Sequence, residues 1–434
     1  MDSINNIQIK TYGCKVNSYD TGLIEDKIKG LEFKDQVFIL NTCAVTAEAT
    51  KEAIRNARKI KREHPKSKIV MTGCSAQVDT ELLEKLDYVD LIIANSHKGE
   101  LGQILKNKFS SSTEGKTSKL FKSNIFKKSD LGVGGGIDSQ HTRSFLKVQD
   151  GCNSFCTFCV IPFARGKSRS LTIDEITERV NELTAQGIQE VVITGIHIGD
   201  YEDKFFGKDN KRYLEDLMEQ LLLRTKMPRF RISSLEPVEI SDRLLELYQD
   251  DRMCPHFHMS LQSLNDKVLK GMKRQNNGIE GIHILNKIHE KIPGVFMGMD
   301  LIVGFPGEGE SEFQEVYQKL KDSPWSKIHV FPYSERPGTF AVRLDEKNER
   351  SISMQRSKII RELSHERFQT HLGNQLGQIK DVILLKNSKD PKIFKSLSRD
   401  YWTVQLESPP DIERGEYQVK ITGKTSSELI GEVL

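Results

Sequence analysis

The sequence contains no apolar run that approaches the roughly 18 residues needed for a membrane-spanning helix. The mean hydropathy of −0.47 agrees with this absence. The amino terminus, MDSINNIQIK, also lacks the basic segment followed by an apolar segment that is typical of a secretory signal peptide. We therefore expect a cytoplasmic protein without a membrane partner.

The chain also lacks an excess of charge of either sign. Its 64 Lys and Arg residues are nearly balanced by 61 Asp and Glu residues, which leaves a formal net charge of +3. Such a balance excludes a histone-like or polybasic tail protein. It still leaves room for local basic patches, and three are present, at 51–68, 106–128 and 380–399. For the patches at 51–68 and 380–399, a solvated surface is the default interpretation, and an RNA contact is the alternative.

Cysteine is scarce, with seven residues in a chain of 434. An odd number of cysteines in a long chain without a secretion signal makes a disulfide framework unlikely as the basis of the fold. We expect reduced thiols or metal ligands instead. The length itself predicts about two to four domains, each large enough for its own core.

Residues 1–110 alternate short apolar runs with stretches compatible with helices. The strand candidates are Ile7–Thr11, Val37–Asn41 and Lys68–Met71. This order predicts an α/β domain with a parallel sheet. Residues 111–140 are rich in lysine, serine and glycine, a composition that predicts a poorly ordered basic linker.

In residues 141–371, strand candidates again alternate with helical sequence. Helical sequence separates the strand candidates, and capping boxes are predicted at Thr172–Glu175 and Ser311–Gln314, with a charged helix over 340–371. The six strand candidates are Phe145–Gln149, Glu190–Thr194, Phe230–Ser233, Phe257–Gln262, Phe296–Val303 and Lys327–Tyr333. Six such units predict a partial parallel barrel, short of the eight units of a complete one.

Residues 372–434 change to short β-like runs separated by turn residues. The runs are Asp381–Leu385, Trp402–Leu406 and Tyr417–Ile421, and they predict a small all-β module. Tyr401 and Trp402 stand beside the basic patch at 380–399, so we expect them to be available for stacking on bases.

Three cysteines lie close together directly after the first barrel strand, at Cys152, Cys156 and Cys159. Three thiolates on one loop can converge on one metal centre. Structural zinc requires four protein ligands, and no fourth candidate is near in sequence. The spacing therefore favours an iron–sulfur cluster in which one iron has no protein ligand.

Three further cysteines, Cys14, Cys43 and Cys74, each follow the end of a predicted strand. Since the carboxyl ends of parallel strands meet at one edge of a sheet, these cysteines are expected to meet in space. The alternative is that they pack as small buried hydrophobic residues. Cys254 belongs to neither triad and is predicted to be a buried thiol, and His256 and His258 are predicted to be structural.

The stretch GCNSFCTFCVIPFARGKSRS (151–170) resembles the radical S-adenosylmethionine superfamily, abbreviated radical SAM. The order of the two cysteine triads along the chain is similar to that of the methylthiotransferases within this superfamily. The resemblance covers essentially the whole chain. The other words that carry the resemblance are TYGCKVN (11–17), NTCAVT (41–46), TGCSAQ (72–77), TGIHIGDY (194–201), RISSLEP (231–237), CPHFHMSLQS (254–263), DLIVGFPGE (300–308) and HVFPYSERPGT (329–339). The chain departs from the usual family pattern at Leu171, Leu264 and Asn276–Asn277.

The resemblance implies two 4Fe-4S clusters and S-adenosylmethionine as cofactors. It implies that Cys152, Cys156 and Cys159 hold the catalytic cluster that cleaves S-adenosylmethionine, and that the amino-terminal triad holds a second cluster that presents sulfur. The residues implied to contact S-adenosylmethionine are Phe158, Gly195, Glu236, Gln262 and Gly304. The all-β module at 372–434 is implied to be a TRAM domain that binds RNA.

TYGCKVN and TGIHIGDY are most similar to the branch that acts on N6-threonylcarbamoyladenosine at position 37 of tRNA. The implied partners are the tRNA anticodon arm, an electron donor of flavodoxin or ferredoxin type, and a sulfur donor. Two alternatives remain open. One is another acceptor, either isopentenyladenosine-37 or a ribosomal-protein aspartate, and the other is a non-catalytic iron–sulfur or zinc protein that binds RNA.

Overall fold

The amino-terminal part of the computed structural model is a parallel α/β domain. The structure describes residues 6–109, 118–128, 131, 142–203, 213–385, 394–406 and 415–434. The sheet has the order β1-β2-β3-β4-β5, with strands Ile7–Thr11, Val37–Thr42, Lys68–Gly73, Leu91–Ala94 and Leu120–Phe121. The helices α1 to α5 are Lys15–Ile28, Ala47–Glu63, Cys74–Val78, Thr80–Glu84 and Leu101–Phe109.

The sheet is covered on both faces. Every residue of β2 is buried, and separate apolar clusters lie on the two sides of the sheet. Strands buried on both faces are typical of parallel sheets between helices. The predicted parallel α/β fold is confirmed, but β4 and β5 were missed because runs of four and two residues are too short to show a pattern.

Part of the predicted basic linker is structured. β5 pairs with β4, and Ile125 is buried, so the linker prediction is wrong for residues 118–128. The lysines and serines around these positions largely face outward, which hid the few buried positions. Within the predicted linker, the stretches 111–117, 129–130 and 132–140 lie outside the described residues.

The middle of the chain forms the predicted partial barrel. Parallel strands form a three-stranded sheet, β10-β9-β6, and a four-stranded sheet, β11-β12-β13-β14. The strands β6 to β14 are Arg143–Lys147, Gln149–Asp150, Arg169–Ser170, Glu190–Thr194, Arg229–Ile232, Ser234–Leu235, His256–Gln262, Phe296–Val303 and Lys327–Pro332. β7 and β8 form a separate antiparallel pair.

Eight helices accompany the barrel within the described residues. They are α6 to α13, with bounds Ile161–Arg165, Ile173–Ala185, Leu214–Arg224, Asp242–Glu246, Asp266–Met272, Gly278–Lys291, Glu310–Asp322 and Arg350–Gly373. Among the described residues, no helix is both long and apolar enough to cross a membrane.

One of the two predicted capping boxes is confirmed. Thr172 Oγ1 accepts a hydrogen bond from Glu175 N at 3.2 Å, and Glu175 Oε2 accepts one from Thr172 N at 2.8 Å. The predicted box at Ser311–Gln314 is wrong, because the helix begins at Glu310 and Gly309 N donates to Glu312.

The charged helix predicted over 340–371 also begins later. Phe340–Arg343 forms a 3-10 turn, and the α-helix spans Arg350–Gly373. It runs along the edge strand β14, where Ser364 Oγ accepts a hydrogen bond from Ile328 N at 2.9 Å.

Helix α1 covers the other edge strand of the barrel. Tyr19 and Leu23 belong to the barrel core, although they lie in the amino-terminal domain. The ammonium group of Lys147, at the end of β6, stands 5.3 Å from the centre of the Tyr19 ring. Since α1 starts directly after Cys14, this packing relates the amino-terminal thiols to the barrel.

The departures from the family pattern have structural roles in this chain. Leu171 and Leu264 are buried in the barrel core, and Asn276 is also buried. The Asn277 side chain accepts a hydrogen bond from Glu280 N at 2.9 Å and caps α11.

The carboxyl-terminal module is a closed five-stranded β-barrel, as predicted for a small all-β module. Its strand order is β15-β16-β17-β19-β18. The strands β15 to β19 are Ile379–Leu385, Phe394–Ser398, Thr403–Leu406, Glu416–Lys424 and Leu429–Val433.

The expectation that Trp402 stacks on bases is wrong. Its side chain is buried between the module and the barrel, with ring centroids 5.1 Å from Phe296 and 5.4 Å from Phe368. Tyr401 is also turned inward, with its ring 4.0 Å from that of His256.

The basic patch at 380–399 is largely neutralised where the structure describes it. Three cations pair with carboxylates at 2.5 Å; the pairs are Lys380–Asp400, Lys395–Glu428 and Arg399–Glu416. Residues 386–393 lie outside the described part of the chain.

Candidate active site

A cavity of about 790 Å³ lies inside the partial barrel and opens toward the amino-terminal domain and the carboxyl-terminal module. Alternate residues of a strand face the same side, so three strands each contribute every second residue to its wall. These residues are His256, His258 and Ser260 of β12, Phe296, Gly298 and Asp300 of β13, and Lys327, His329 and Phe331 of β14.

Cys14, Cys43 and Cys74 line this cavity together. Cys14 is the residue before α1, Cys43 follows β2, and Cys74 follows β3. The structure therefore brings the three strand-end thiols to one place, as their positions in the sequence indicated. Burial, with a smaller contribution from the Cys74 thiolate, raises the pKa of Cys43 to about 12.

Two glycines make room beside these thiols. Gly13 and Gly73 both have φ of +93°, which favours glycine. A Cβ at Gly13 would stand 2.7 Å from Cys43 Sγ, and one at Gly73 would stand 2.4 Å from Thr42 O.

Gly73→Ala is therefore expected to destabilise the protein by about 3 kcal/mol or more, since a left-handed backbone and a backbone overlap are combined. The measurement is urea denaturation of the full chain. Gly30→Ala is the matched control, because Gly30 has φ of +78° with nothing within 4 Å of its added Cβ. Equal losses in the two variants would show that the contact with Thr42 does not matter.

Cys152, Cys156 and Cys159 lie on the loop between β7 and α6. Burial, with smaller contributions from Cys156 and Cys152, raises the pKa of Cys159 to about 12. Ser154 N donates to Cys152 Sγ at 3.4 Å, and Arg274 Nη1 donates to Cys156 Sγ at 3.7 Å. These donors stabilise negative charge on the sulfur atoms.

His197 was not identified from the sequence as a site residue. Its Nδ1 lies 3.5 Å from Cys152 Sγ and 3.1 Å from Asp200 Oδ2, and its Nε2 contacts Glu239. Burial lowers the pKa of His197, but hydrogen bonds to Asp200, Cys152 and Glu239 outweigh this effect and raise it. The available signal was a His-x-x-Asp pair inside TGIHIGDY, directly after β9.

Two of the predicted cofactor contacts lie next to the cysteines. Gly195 lines the cavity, and a Cβ there would stand 2.8 Å from Gln149 Oε1, so the Gln149 side chain would have to shift. Glu236 is buried and accepts a hydrogen bond at 2.5 Å from Arg274, the residue that also contacts Cys156. Burial raises the pKa of Glu236 against the opposing effect of Arg274.

Phe158 lies on the cysteine loop itself, between Cys156 and Cys159, whereas Gln262 and Gly304 lie at the carboxyl ends of β12 and β13. The Phe158 ring packs against Phe305 at 6.5 Å. Gly304 has φ of +75°, and a Cβ there would overlap Ser353 of α13. Gln262 has φ of +65° at an irregularity of β12 and is not among the described residues that line the cavity.

The two triads are neighbours in space. The apolar residues that follow Cys159, Val160 and Ala164, pack in one cluster with Cys74 and Ala44. Asn95 Nδ2 donates to Ala164 O at 3.0 Å and lies 3.7 Å from Cys74 Sγ. Helix α6 thus links one triad to the other.

A buried ionic network fixes this arrangement. Asp20 of α1 accepts hydrogen bonds from Lys147 at 2.7 Å, Lys98 at 3.0 Å and Arg165 at 3.0 Å. Arg165 also contacts Asp150 at 3.1 Å. Burial by itself would raise the pKa of Asp20, but the three cations outweigh it and hold this pKa well below its usual range.

The six thiols fit 4Fe-4S clusters better than single metal ions. Around one tetrahedral zinc, sulfur atoms lie about 4 Å apart, given the Zn–S distance of about 2.3 Å. Neither thiol triad is among the described groups whose ligand atoms all lie within 4.8 Å of one another. A cluster binds each thiolate at a different iron, so it suits the wider spacing. Because burial raises the pKa of Cys43 and of Cys159, metal binding would release protons there.

The carboxylates and imidazole beside Cys152 are spaced more closely. Cys152, His197 and Asp200 form one set with ligand atoms within 4.8 Å, and His197, Glu236 and Glu239 form another. Both sets share His197, whose nitrogens already contact carboxylates. Their arrangement is that of an ion-pair network next to the thiols.

The chain matches the family model described as "Radical SAM superfamily" over residues 146–320 and the one described as "Uncharacterized protein family UPF0004" over residues 6–94. It shares its fold with the radical S-adenosylmethionine methyltransferase TsrM from Kitasatospora setae, at a TM-score of 0.52 and 13% identity over 76% of this chain and 75% of that one.

Two curated relatives are similar over nearly the full length. The tRNA-2-methylthio-N(6)-dimethylallyladenosine synthase of Bartonella tribocorum is 27% identical over 98% of this chain and 95% of its own. The threonylcarbamoyladenosine tRNA methylthiotransferase MtaB of Aquifex aeolicus is 36% identical over 88% of this chain and 93% of its own. Each of the two matched regions carries one cysteine triad, and the similarity to the Aquifex aeolicus protein extends over most of both chains. The chain therefore belongs to the radical SAM methylthiotransferase family and is an enzyme of that family.

Proposed function

We propose that this enzyme converts N6-threonylcarbamoyladenosine at position 37 of tRNA to its 2-methylthio derivative. The observation that carries the proposal is a cavity inside the barrel that is lined by one cysteine triad and by helix residues that follow the other. Cys14, Cys43 and Cys74 line the cavity, and so do Ile161 and Arg165, which follow Cys159. An acceptor base in this cavity would be within reach of both metal centres.

Six cysteines are assigned as cluster ligands in this proposal. Cys152, Cys156 and Cys159 hold the cluster at which S-adenosylmethionine binds, and Cys14, Cys43 and Cys74 hold the second cluster. When bound, the clusters and S-adenosylmethionine supply the one-electron chemistry and the methyl group, which protein side chains lack. The product also gains a sulfur atom, so a sulfur donor is required, and the one-electron step requires an electron donor of flavodoxin or ferredoxin type.

The protein's own residues orient and shield the reactants. Phe158, Gly195, Glu236, Gln262 and Gly304 remain the proposed contacts to S-adenosylmethionine. Arg274 donates hydrogen bonds to both Glu236 and Cys156, so it links a proposed S-adenosylmethionine contact to a proposed cluster ligand. The barrel wall keeps water from the reacting groups, which favours radical chemistry over side reactions.

The proposed acceptor rests on the relatives and on the polarity of the cavity. Relatives named for threonylcarbamoyladenosine reach 36% identity, against 27% for one named for dimethylallyladenosine. The cavity wall carries the Lys15 ammonium group, which an isopentenyl group would leave without a polar partner. A non-catalytic iron–sulfur or zinc protein that binds RNA would not require a cavity inside the barrel.

Contact with the anticodon arm is assigned to basic surface outside the cavity. Helix α2 exposes five basic side chains, which are Lys51, Arg55, Arg58, Lys59 and Arg62. Phosphate contacts of this kind hold RNA without reading its sequence. The carboxyl-terminal β-barrel is assigned as the TRAM domain. We place the protein in the cytoplasm in this proposal because it would act on tRNA.

After anaerobic reconstitution, we expect about eight irons per chain, four for each cluster. With S-adenosylmethionine, dithionite and tRNA that carries threonylcarbamoyladenosine-37, nucleoside mass spectrometry should detect the 2-methylthio derivative. The control substrate is the same tRNA carrying isopentenyladenosine-37. Modification of the control alone, or no product with both clusters intact, would contradict the proposed function.

A further inference from the structure

One end of the cavity is strongly cationic. Lys15, the first residue of α1, lines the cavity together with Tyr401. In the part of the chain that the structure describes, the Lys15 ammonium group forms no hydrogen bond and no ion pair. It interacts electrostatically with Tyr401, Arg143, Arg231 and Glu190.

The nearby carboxylate is already neutralised by other cations. Glu190 accepts hydrogen bonds from Arg143 at 2.6 Å and from Arg231 at 2.9 and 3.0 Å. The guanidinium groups of Arg231 and Arg143 stand 5.0 Å and 5.8 Å from the centre of the Tyr401 ring. Positive charge therefore exceeds negative charge around Lys15, which favours an anionic ligand.

The carboxylate of the cavity wall is also engaged elsewhere. Asp300 Oδ1 lies 3.3 Å from His258 Nε2. Lys15 therefore has no carboxylate partner among the described residues, and an anionic ligand in the cavity would supply its counter-charge.

We propose that Lys15, with Tyr401 beside it, forms a carboxylate-binding subsite for the threonylcarbamoyl group of the acceptor nucleoside. This inference rests on the proposed function, in which the modified base enters the cavity. The threonyl moiety carries a carboxylate and a hydroxyl group, which match an ammonium group and a phenol. An acceptor with an apolar substituent would leave Lys15 uncompensated, so this subsite selects between acceptors.

The test measures binding of three anticodon stem-loop RNAs to the reconstituted protein by fluorescence anisotropy. Position 37 carries adenosine, threonylcarbamoyladenosine, or the methyl ester of threonylcarbamoyladenosine, which has no carboxylate charge. We expect the wild-type protein to bind the acid about tenfold more tightly than the ester, or about 1.4 kcal/mol. Lys15→Gln should lose this preference, and Lys15→Arg should keep most of it.

Lys327→Gln is the matched control. Lys327 also lines the cavity, but its ammonium group stands 4.8 Å from the centre of the Phe368 ring and is already engaged. We expect this variant to retain the preference for the acid. Iron content is measured for every variant, because Lys15 is adjacent to Cys14.

Three outcomes would overturn the inference. The first is that Lys15→Gln weakens binding of all three RNAs equally, which would assign Lys15 to a backbone phosphate. The second is that this variant keeps the preference for the acid, and the third is that the wild-type protein shows no such preference. Methylthiolation of the acid-bearing RNA by the wild-type enzyme is scored separately. Its absence would refute the proposed function, whereas its presence without a carboxylate preference would refute only this subsite.

Discussion

Cys156→Ala is expected to abolish formation of 5′-deoxyadenosine, whereas Cys43→Ala is expected to keep this activity and lose only the methylthiolated nucleoside. Cys156 lies on the loop whose proposed cluster binds S-adenosylmethionine. Cys43 lies in the other triad, on the far side of helix α6. Loss of one of three thiolate ligands destroys a cluster site, so each effect should approach completeness.

The measurement is a single reaction with dithionite, in which 5′-deoxyadenosine and modified nucleoside are quantified together. Cys254→Ala is the matched control, since Cys254 is a buried thiol in neither triad, with its Sγ 3.8 Å from Glu190 Oε2. The control should retain both activities. Equal loss of both activities in Cys156→Ala and Cys43→Ala would rule out separate roles for the triads.

Asp20→Ala is expected to destabilise the protein by about 3–5 kcal/mol, because removal of one partner leaves buried charges uncompensated. Lys98, Lys147 and Arg165 all donate to this carboxylate and are nearly inaccessible to solvent. Two of them belong to the barrel and one to the amino-terminal domain. The variant should therefore lose methylthiolation more severely than 5′-deoxyadenosine formation, because methylthiolation requires both triads to keep their relative positions.

Urea denaturation of the full chain measures the loss of stability. Glu48→Ala is the control, since Glu48 pairs with Arg55 on the exposed surface and should produce no measurable change. Asp20→Asn gives the pH dependence. Since the folded-state pKa of Asp20 is lowered, its contribution is complete above the ordinary aspartate range and is lost as the pH falls through the folded-state value. A wild-type advantage that grows in acid would contradict this assignment.

The order of the strands was predictable because burial imposes a local pattern. The barrel strand candidates agree with the structure to within two residues at each end, and Glu190–Thr194 and Phe296–Val303 agree at both ends. The errors occurred where tertiary contacts override local signals. Trp402 stood in a basic, aromatic stretch that suggested a surface, yet the barrel and α13 bury it.

The sequence by itself determined the two thiol triads and the strand ends that carry them. Spacing within a loop and position after a strand are local properties, so the grouping of Cys152, Cys156 and Cys159 follows from their positions along the chain. The turn glycines Gly13 and Gly73 could be recognised for the same reason.

Only the tertiary structure decided how the triads face each other and what lines the space between them. Asp20 contacts Lys147 and Arg165, and Lys15 lines the same cavity as Tyr401, across long separations in the chain. Contacts between single polar side chains have no periodicity, so nothing in the local sequence indicates them. Their geometry depends on the packing of α1 and α6 against the barrel, which the whole fold has to establish.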